Sequence, residues 1–221
     1  MRVGSAILLT SLTMAVFQET PAQIDGSGTE IPAATRLRDY LLRSRYPETN
    51  RLLKSDDPSL FETPLLAGDA SAAATITAFA GEKLHHGSLR IFFRVSVRQP
   101  GFYSFRTQLM AETGRPLVEA LLHQSLGAGE HQLYFFVYGK ALRDAGASGS
   151  FVLPGIVGEK LPEDGITGAA QQGALSALRL TYKTQPYRSA VFTDKEWTSP
   201  EKQATIRRLQ REIRQENMQK R

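Results

Sequence analysis

The stretch Leu89-Arg90-Ile91-Phe92-Phe93-Arg94-Val95-Ser96-Val97-Arg98 decides the fold. Leu89, Ile91, Phe93, Val95 and Val97 alternate with Arg90, Phe92, Arg94, Ser96 and Arg98. Successive side chains of a strand point to opposite faces, so this period of two predicts one row turned inward and one outward. After Gln99-Pro100-Gly101 the pattern resumes over Phe102 to Met110, with Tyr103, Phe105, Thr107 and Leu109 as the inward row. Read as a hairpin with a three-residue loop, these segments pair Arg98 with Phe102 and Val95 with Phe105, keeping both apolar rows together. A two-residue loop sets Val95 against Arg106 and is disfavoured.

Working outward, Thr75 to Phe79 reads as a preceding strand. Thr113-Gly114 turns the chain into Leu117 to Gln124, with Val118, Ala120 and Leu122 inward. Gly127-Ala128-Gly129 turns it again into His131 to Tyr138, where Leu133, Phe135 and Val137 alternate with Tyr134, Phe136 and Tyr138. Two further strands are expected at Ser150 to Leu153 and Leu178 to Tyr182, with the glycine-rich Gly158 to Gly173 between them as a loop. About seven strands at spacings of roughly ten residues predict an all-β fold. The expectation is an antiparallel β-sandwich, Ig-like or jelly-roll.

The flanks differ in character. Arg2 followed by the uncharged Val3 to Phe17 has the length of a secretory signal core and is short for a membrane span. Thr20-Pro21-Ala22 offers a small-residue cleavage site. Residues 1–22 are therefore expected to be a signal peptide, the alternative being an uncleaved anchor in the inner membrane; either way the body lies in the periplasm or is secreted. Residues 23–71 read as an extended, partly helical arm. Pro32 opens a short helix to Arg43, with Leu37, Tyr40, Leu41 and Ala34 on one face, and Tyr46-Pro47 breaks it. The sandwich is expected over residues 72–190 and a helical tail over 191–221. Ser199-Pro200-Glu201 supplies an N-cap, an N1 proline and an early acid. The helix to Gln219 is amphipathic and basic: Ile206, Leu209 and Ile213 form a narrow stripe among Arg207, Arg208, Arg211 and Arg214.

Composition narrows the chemistry. With no cysteine, disulfides, thiolate nucleophiles, Cys-based zinc sites and a lipid-bearing cysteine are excluded. Lys plus Arg exceed Asp plus Glu by 27 to 22, a net +5, which suits an anionic partner but falls short of a nucleic-acid footprint. His123 and His131 are expected to approach across a hairpin, with Glu130 the one carboxylate nearby; His85-His86 sits in a loop. No metal or cofactor is expected from so few ligands. Neither a Gly-x-Ser-x-Gly elbow nor a His-Glu-x-x-His helix is present. Asp56-Asp57 and Glu163-Asp164 lack calcium-loop spacing and read as turn residues. A non-catalytic chain is expected.

Leu89 to Leu153 resembles a recurrent domain of uncharacterised exported proteins of Gram-negative bacteria. The resemblance lies in an ordered series: Leu89 to Val97, Pro100-Gly101-Phe102-Tyr103, the Gly114 turn, Leu126-Gly-Ala-Gly-Glu-His-Gln-Leu-Tyr-Phe, Gly139 to Gly146, and Ser150-Phe-Val-Leu. Tyr182 to Tyr187 and Tyr46-Pro47 extend it to about half of the chain. The chain departs from the pattern at Gly149-Ser150-Phe151, where Gly-Pro-Tyr is usual. The resemblance implies an Ig-like sandwich outside the cytoplasm and carries over no catalytic residues.

Three binding surfaces are expected. The outward row of the first strand pair carries Arg90, Arg94, Arg98 and Arg106, with Arg94 directly opposite Arg106. That clash calls either for Glu119 on the next strand or for an anionic glycan, lipid surface or protein patch. Phe92, Met110, Leu117 and Leu121 load the same face with apolar surface, which one of the helices is expected to cover in part. Tyr134 and Tyr138 offer a platform for a carbohydrate. Ile206, Leu209 and Ile213 suit a protein partner or self-association better than a membrane. The functional expectation is an exported module for protein interaction or envelope structure. A carbohydrate-binding domain comes second and a hydrolase third.

Overall fold

The computed structural model describes residues 31–54, 57, 72–162 and 181–219. In chain order these form α1 (Ala33–Arg43), β1 (Asn50–Leu52), β2 (Ala74–His85), β3 (Ser88–Val97), β4 (Gly101–Ala111), β5 (Pro116–Leu126) and β6 (Gly129–Val137). Then come α2 (Gly139–Asp144), β7 (Phe151–Leu153), β8 (Val157–Leu161), β9 (Tyr182–Lys183) and α3 (Pro200–Gln219). The strands make two antiparallel sheets, one ordered β2-β3-β6 and the other β1-β5-β4-β7-β9, with β8 also on β4. One apolar core lies between them, an arrangement compatible with a sandwich.

The period-two reading of β3 holds side chain by side chain. Leu89, Ile91, Phe93 and Val95 are fully buried and Val97 nearly so. Each contributes on the order of 1.5–3 kcal/mol by leaving water. β2 reaches farther than Phe79, to His85, and joins β3 through a two-residue turn at His86-Gly87. Both turn residues have positive φ, 48° and 70°, as the hairpin turn matching strand twist requires. The two histidines thus sit at a tight strand end, and not in the longer loop expected for them.

The expected hairpin between β3 and β4 does not form. β3 pairs β2 and β6, β4 pairs β5, β7 and β8, and the chain crosses from one sheet to the other at Arg98-Gln99-Pro100. Alternation reports that a face is buried; it does not report which strand lies alongside. In a crossing the two inward rows meet face to face through the core, so Phe93 and Phe105 touch with ring centroids 5.4 Å apart. The amides of Arg98 and Gln99 donate to the Ala73 carbonyl at 2.9 and 3.1 Å, and the Tyr103 hydroxyl donates to the Gln99 carbonyl. Consequently Arg94 lies opposite Ala78 and Gln132, and Arg106 opposite Leu121 and Val157; the predicted Arg94–Arg106 pair is absent.

β5 and β6 also cross between sheets instead of forming a hairpin. His123 therefore lies opposite Ser104 and His131 opposite Val95, so the two are not hairpin partners. Nε2 of His131 lies 2.8 Å from the Gly127 carbonyl oxygen.

β7 and β8 occupy the same edge of β4 and are one strand interrupted by a bulge. The pairing slips by one residue between Val152↔Met110 and Val157↔Arg106. Pro154, which has no amide hydrogen to give a ladder, stands at the interruption, where proline is tolerated. There the Thr107 hydroxyl donates to the Gly155 carbonyl at 2.7 Å. Residues 158–161, expected in a loop, continue this strand; their polar Glu159 and Lys160 hid it. Residues 163–173 of that expected loop, and residues 178–180 of the expected last strand, lie outside the described residues.

Two side-by-side closures hold the sheets together. Asn50, buried in β1 at the edge of one sheet, donates through Nδ2 to the Phe136 carbonyl and accepts at Oδ1 from the Tyr138 amide. Its amide thus replaces a ladder partner for β6 across the gap, and a segment expected to be arm becomes an edge strand. On the opposite side Phe79 of β2 stacks on Tyr182 of β9 at 5.0 Å, and Glu82 accepts from the Gln185 amide at 2.8 Å.

α2 escaped the sequence reading. Its first residue, Gly139, sits against the β2–β3 turn, and its amide donates to the Ser88 hydroxyl at 3.1 Å. The Thr193 amide donates to the Gly87 carbonyl at 2.9 Å in the same junction. A Cβ on Gly139 would stand 1.7 Å from the Gly87 carbonyl oxygen, whereas one on Gly127 would meet nothing within 4 Å. Gly139→Ala is accordingly expected to lower unfolding stability by about 3 kcal/mol or more in urea titrations, and Gly127→Ala to change it little. Equal midpoints for the two variants would refute the close-approach account.

Candidate binding surface

β3 and β6 place their outward residues in facing pairs: Arg90 with Phe136, Phe92 with Tyr134, and Arg94 with Gln132. On its other side Arg90 faces Lys83 of β2. The outer face of the three-stranded sheet thus carries aromatic rings beside cations. Phe92 and Tyr134 lie 5.7 Å apart, and the Arg90 guanidinium sits over the Tyr134 ring, 5.0 Å from its centroid. Cation–ring attraction is worth about 0.5–1 kcal/mol at an exposed site and more at a half-buried one such as this. It gives Arg90 a neighbour where Lys83 is repulsive. Nε of Arg90 is buried and has no hydrogen-bond partner among the described residues.

Of the residues expected to bind, Arg90, Arg94 and Tyr134 share this face. Tyr134 is 40% exposed and Arg94 is exposed. Tyr138 has another task. Trp197 lies 5.4 Å from its ring and 6.2 Å from that of Phe136, and the Tyr138 hydroxyl donates to the Lys195 carbonyl at 2.8 Å. Burial, then the charge of Glu196, pushes its hydroxyl pKa up. Tyr138 fastens the segment leading into α3. Arg98 is exposed at the crossing, and Arg106 lies on the outer face of the other sheet. The four arginines therefore do not form one field. Glu119, expected to compensate them, pairs instead with Arg51 of β1 at 2.9 Å. No ion pair joins Lys83, Arg90 or Arg94 to a carboxylate among the described residues.

Phe136, Lys83 and Trp197 were missed. Phe136 was legible as the middle of the outward row Tyr134, Phe136, Tyr138. Lys83 was lost because β2 was read as ending at Phe79, and no sequence signal linked Trp197 to β6.

The helices cover one another. α1 and α3 run antiparallel: the Ala33 amide donates to Glu216 at 2.9 Å, Arg36 pairs with Glu212 at 3.0 Å, and at the far end Nζ of Lys202 donates to the carbonyls of Ser44 and Trp197 at 2.7 and 2.8 Å. A buried ammonium is thereby held on the carbonyl end of α1, where a helix favours a cation. Leu209 is buried and Ile206 and Ile213 half-buried, so the stripe expected to meet a partner is taken up by α1. On α1, Ala33 is buried and Leu37 and Tyr40 half-buried; Leu41, expected on the same face, is 37% exposed and Leu42 59%. Met110 and Leu121 lie on the other sheet, away from Phe92.

A separate titratable cluster links the end of α1 to α2. The Tyr46 hydroxyl donates to Asp144 at 2.6 Å, and Arg45 and Lys140 pair with the same carboxylate at 3.2 and 3.3 Å. Burial and then the bond to anionic Asp144 push the Tyr46 pKa up to about 12. For Asp144, burial acts upward, but the hydrogen bonds of Tyr46 and Lys140 and the neighbouring cations hold its carboxyl below the ordinary range. Among the described residues no cluster of His, Asp and Glu could hold a metal ion. Asp57 accepts from the Lys54 amide at 2.9 Å, as turn chemistry requires, and Glu163-Asp164 lie outside the described residues.

No protein-family model matches the chain, and no curated protein does. Among solved structures it is similar to a DUF4785 family protein from Legionella pneumophila, at 20% identity and a TM-score of 0.33. The match spans 53% of this chain and 28% of that one, so the chain takes in little more than a quarter of that protein's length. Likeness at this level defines neither fold nor function.

The Tyr46–Asp144 pair makes stability depend on pH in both directions. A tyrosine raised above its unfolded value of about 10 contributes fully below that value and loses its contribution as pH climbs to about 12. Asp144, depressed on folding, contributes above the unfolded carboxyl value and loses it as pH falls through the folded one. Urea midpoints of Tyr46→Phe should fall less steeply than wild type in the alkaline window, and those of Asp144→Asn less steeply on acidification. Parallel pH profiles for all three proteins would count against the pair.

Proposed function

We propose that this chain is an exported, non-catalytic interaction module of the cell envelope, built as an Ig-like sandwich and recognising its partner on the outer face of the three-stranded sheet. The strand order supports the Ig-like reading over a jelly roll. Counting from β2, the first, second and fifth strands share one sheet. The third, the bulged sixth (β7 with β8) and the seventh share the other, as in Ig domains. The fourth, β5, pairs with the third, β4, instead of with the fifth, β6, a variation on that plan. Export is supported by Arg2 and the uncharged Val3 to Phe17, residues that lie outside the described ones. No helix among the described residues is long and apolar enough to cross a membrane.

The observation that carries the binding surface is the unneutralised strip of Lys83, Arg90 and Arg94 beside Phe92 and Tyr134. A like-charged row without carboxylate partners is unfavourable within the isolated domain, and a partner that supplies anions and covers rings turns it into a favourable contact.

Two measurements test the reading. Alkaline phosphatase fused after Arg221 should be active, as that enzyme is outside the cytoplasm; a silent, stable fusion would refute export. The purified chain should co-sediment with isolated bacterial envelopes. The double variant Arg94→Glu/Tyr134→Ala should lose that association while Arg106→Gln, altered on the other sheet, keeps it. Unchanged sedimentation of the double variant would show that the surface lies elsewhere.

A further inference from the structure

We infer that the partner recognised by the outer face of β2-β3-β6 is an acidic polysaccharide, a chain of sugars bearing carboxylate, sulfate or phosphate groups. This rests on the surface proposed above and names its ligand class.

The face is the outer side of a three-stranded antiparallel sheet, with its side chains in rows along β3 and β6. It therefore suits a polymer lying along it better than a small molecule, which needs most of its surface surrounded. Arg90 and Arg94 are four residues apart on β3, about 13 Å at the rise of a strand. That spacing lets one extended chain meet both cations. Guanidinium groups match carboxylate, sulfate and phosphate oxygens through paired N–H donors. Arg94 is exposed, and neither it nor Lys83 makes an ion pair among the described residues, so neither must break one to take up an anion.

Tyr134 is 40% exposed, 5.7 Å from Phe92 and 5.0 Å from the Arg90 guanidinium, so an aromatic ring for the C–H surface of a sugar stands beside a cation for its acid group. Gln132, paired with Arg94 and open to solvent, supplies an amide able to donate to and accept from hydroxyls.

The same chemistry argues against two other occupants. A membrane surface is gripped by protruding apolar side chains. On this face the one large apolar side chain exposed among the described residues is Tyr134. Single-stranded nucleic acid also pairs cations with rings, but it is bound through a groove of dense positive charge that tracks a phosphate at every nucleotide. Three cations on an open strip, with Glu130 exposed at its end opposite Ser96, fit sparser charge better.

The test uses the full chain in affinity electrophoresis and titration calorimetry. The probes are alginate, polygalacturonate, neutral dextran, phosphatidylglycerol vesicles and a single-stranded oligonucleotide. The acidic polysaccharides should bind, more weakly as salt rises, and dextran should not. Arg94→Gln and Tyr134→Ala should each weaken binding by about tenfold, the scale of one charge-assisted hydrogen bond or one lost stacking partner. Arg94→Lys should restore part of the loss and Arg106→Gln should change nothing. Envelope association that depends on this face, with no acidic-polysaccharide binding or with equal binding of dextran, would overturn the ligand class while leaving the surface standing. Tighter binding of vesicles or the oligonucleotide would overturn it too. Loss of envelope association by wild type itself would remove the surface and this inference together.

Discussion

Phe93 is where the two sheets become one body. Its ring stacks on Phe135 of its own sheet at 4.7 Å and meets Phe105 of the other edge-on at 5.4 Å, and Phe105 in turn lies 6.2 Å from Tyr103. All four side chains are fully buried. Rings in offset or edge-to-face contact hold geometry as well as area, so this group fixes the distance between the layers and the phase of both inward rows. Everything on the outside inherits that phase. With Phe93 and Phe135 turned in, Arg90, Phe92, Arg94, Tyr134 and Phe136 have no choice but to turn out, and the cationic aromatic strip follows from the core.

The same constraint explains what could be read from residues and what could not. The inward rows of β3, β4, β5 and β6 were visible because burial of one face writes itself into every second residue. Strand neighbours were not visible. A row of Leu89, Ile91, Phe93 and Val95 meets another apolar row equally well beside it in a sheet or across a core. Gln99-Pro100-Gly101 and Gly127-Ala128-Gly129 permit either path. A hairpin at either place would set Arg106 and His123 beside other neighbours and gather four arginines on one face; the crossings separate them.

Elements held by single polar groups or by one close contact left fainter traces. β1 is three residues long and depends on the amide of Asn50; α2 depends on the absence of a side chain at Gly139; β8 is polar on its open side. The two flanking helices announced themselves through their capping and stripes, but their mutual packing did not. A narrow stripe states that a helix needs a neighbour of its own kind, and the neighbour was more than 150 residues away in the same chain, as the Lys202–Ser44 separation of 158 shows.

The Asn50 clasp has a consequence for how the molecule assembles. Its carbonyl partner, Phe136, follows it by 86 residues, and the Arg51 partner Glu119 by 68. β1 is therefore made well before the strands it pairs with, and it stays unpaired until β5 and β6 have been synthesised. Contacts this far apart along the chain slow the search for the native topology. The clasp thus joins an early-made edge to a strand made much later, a long-range closure at the rim of the sheet.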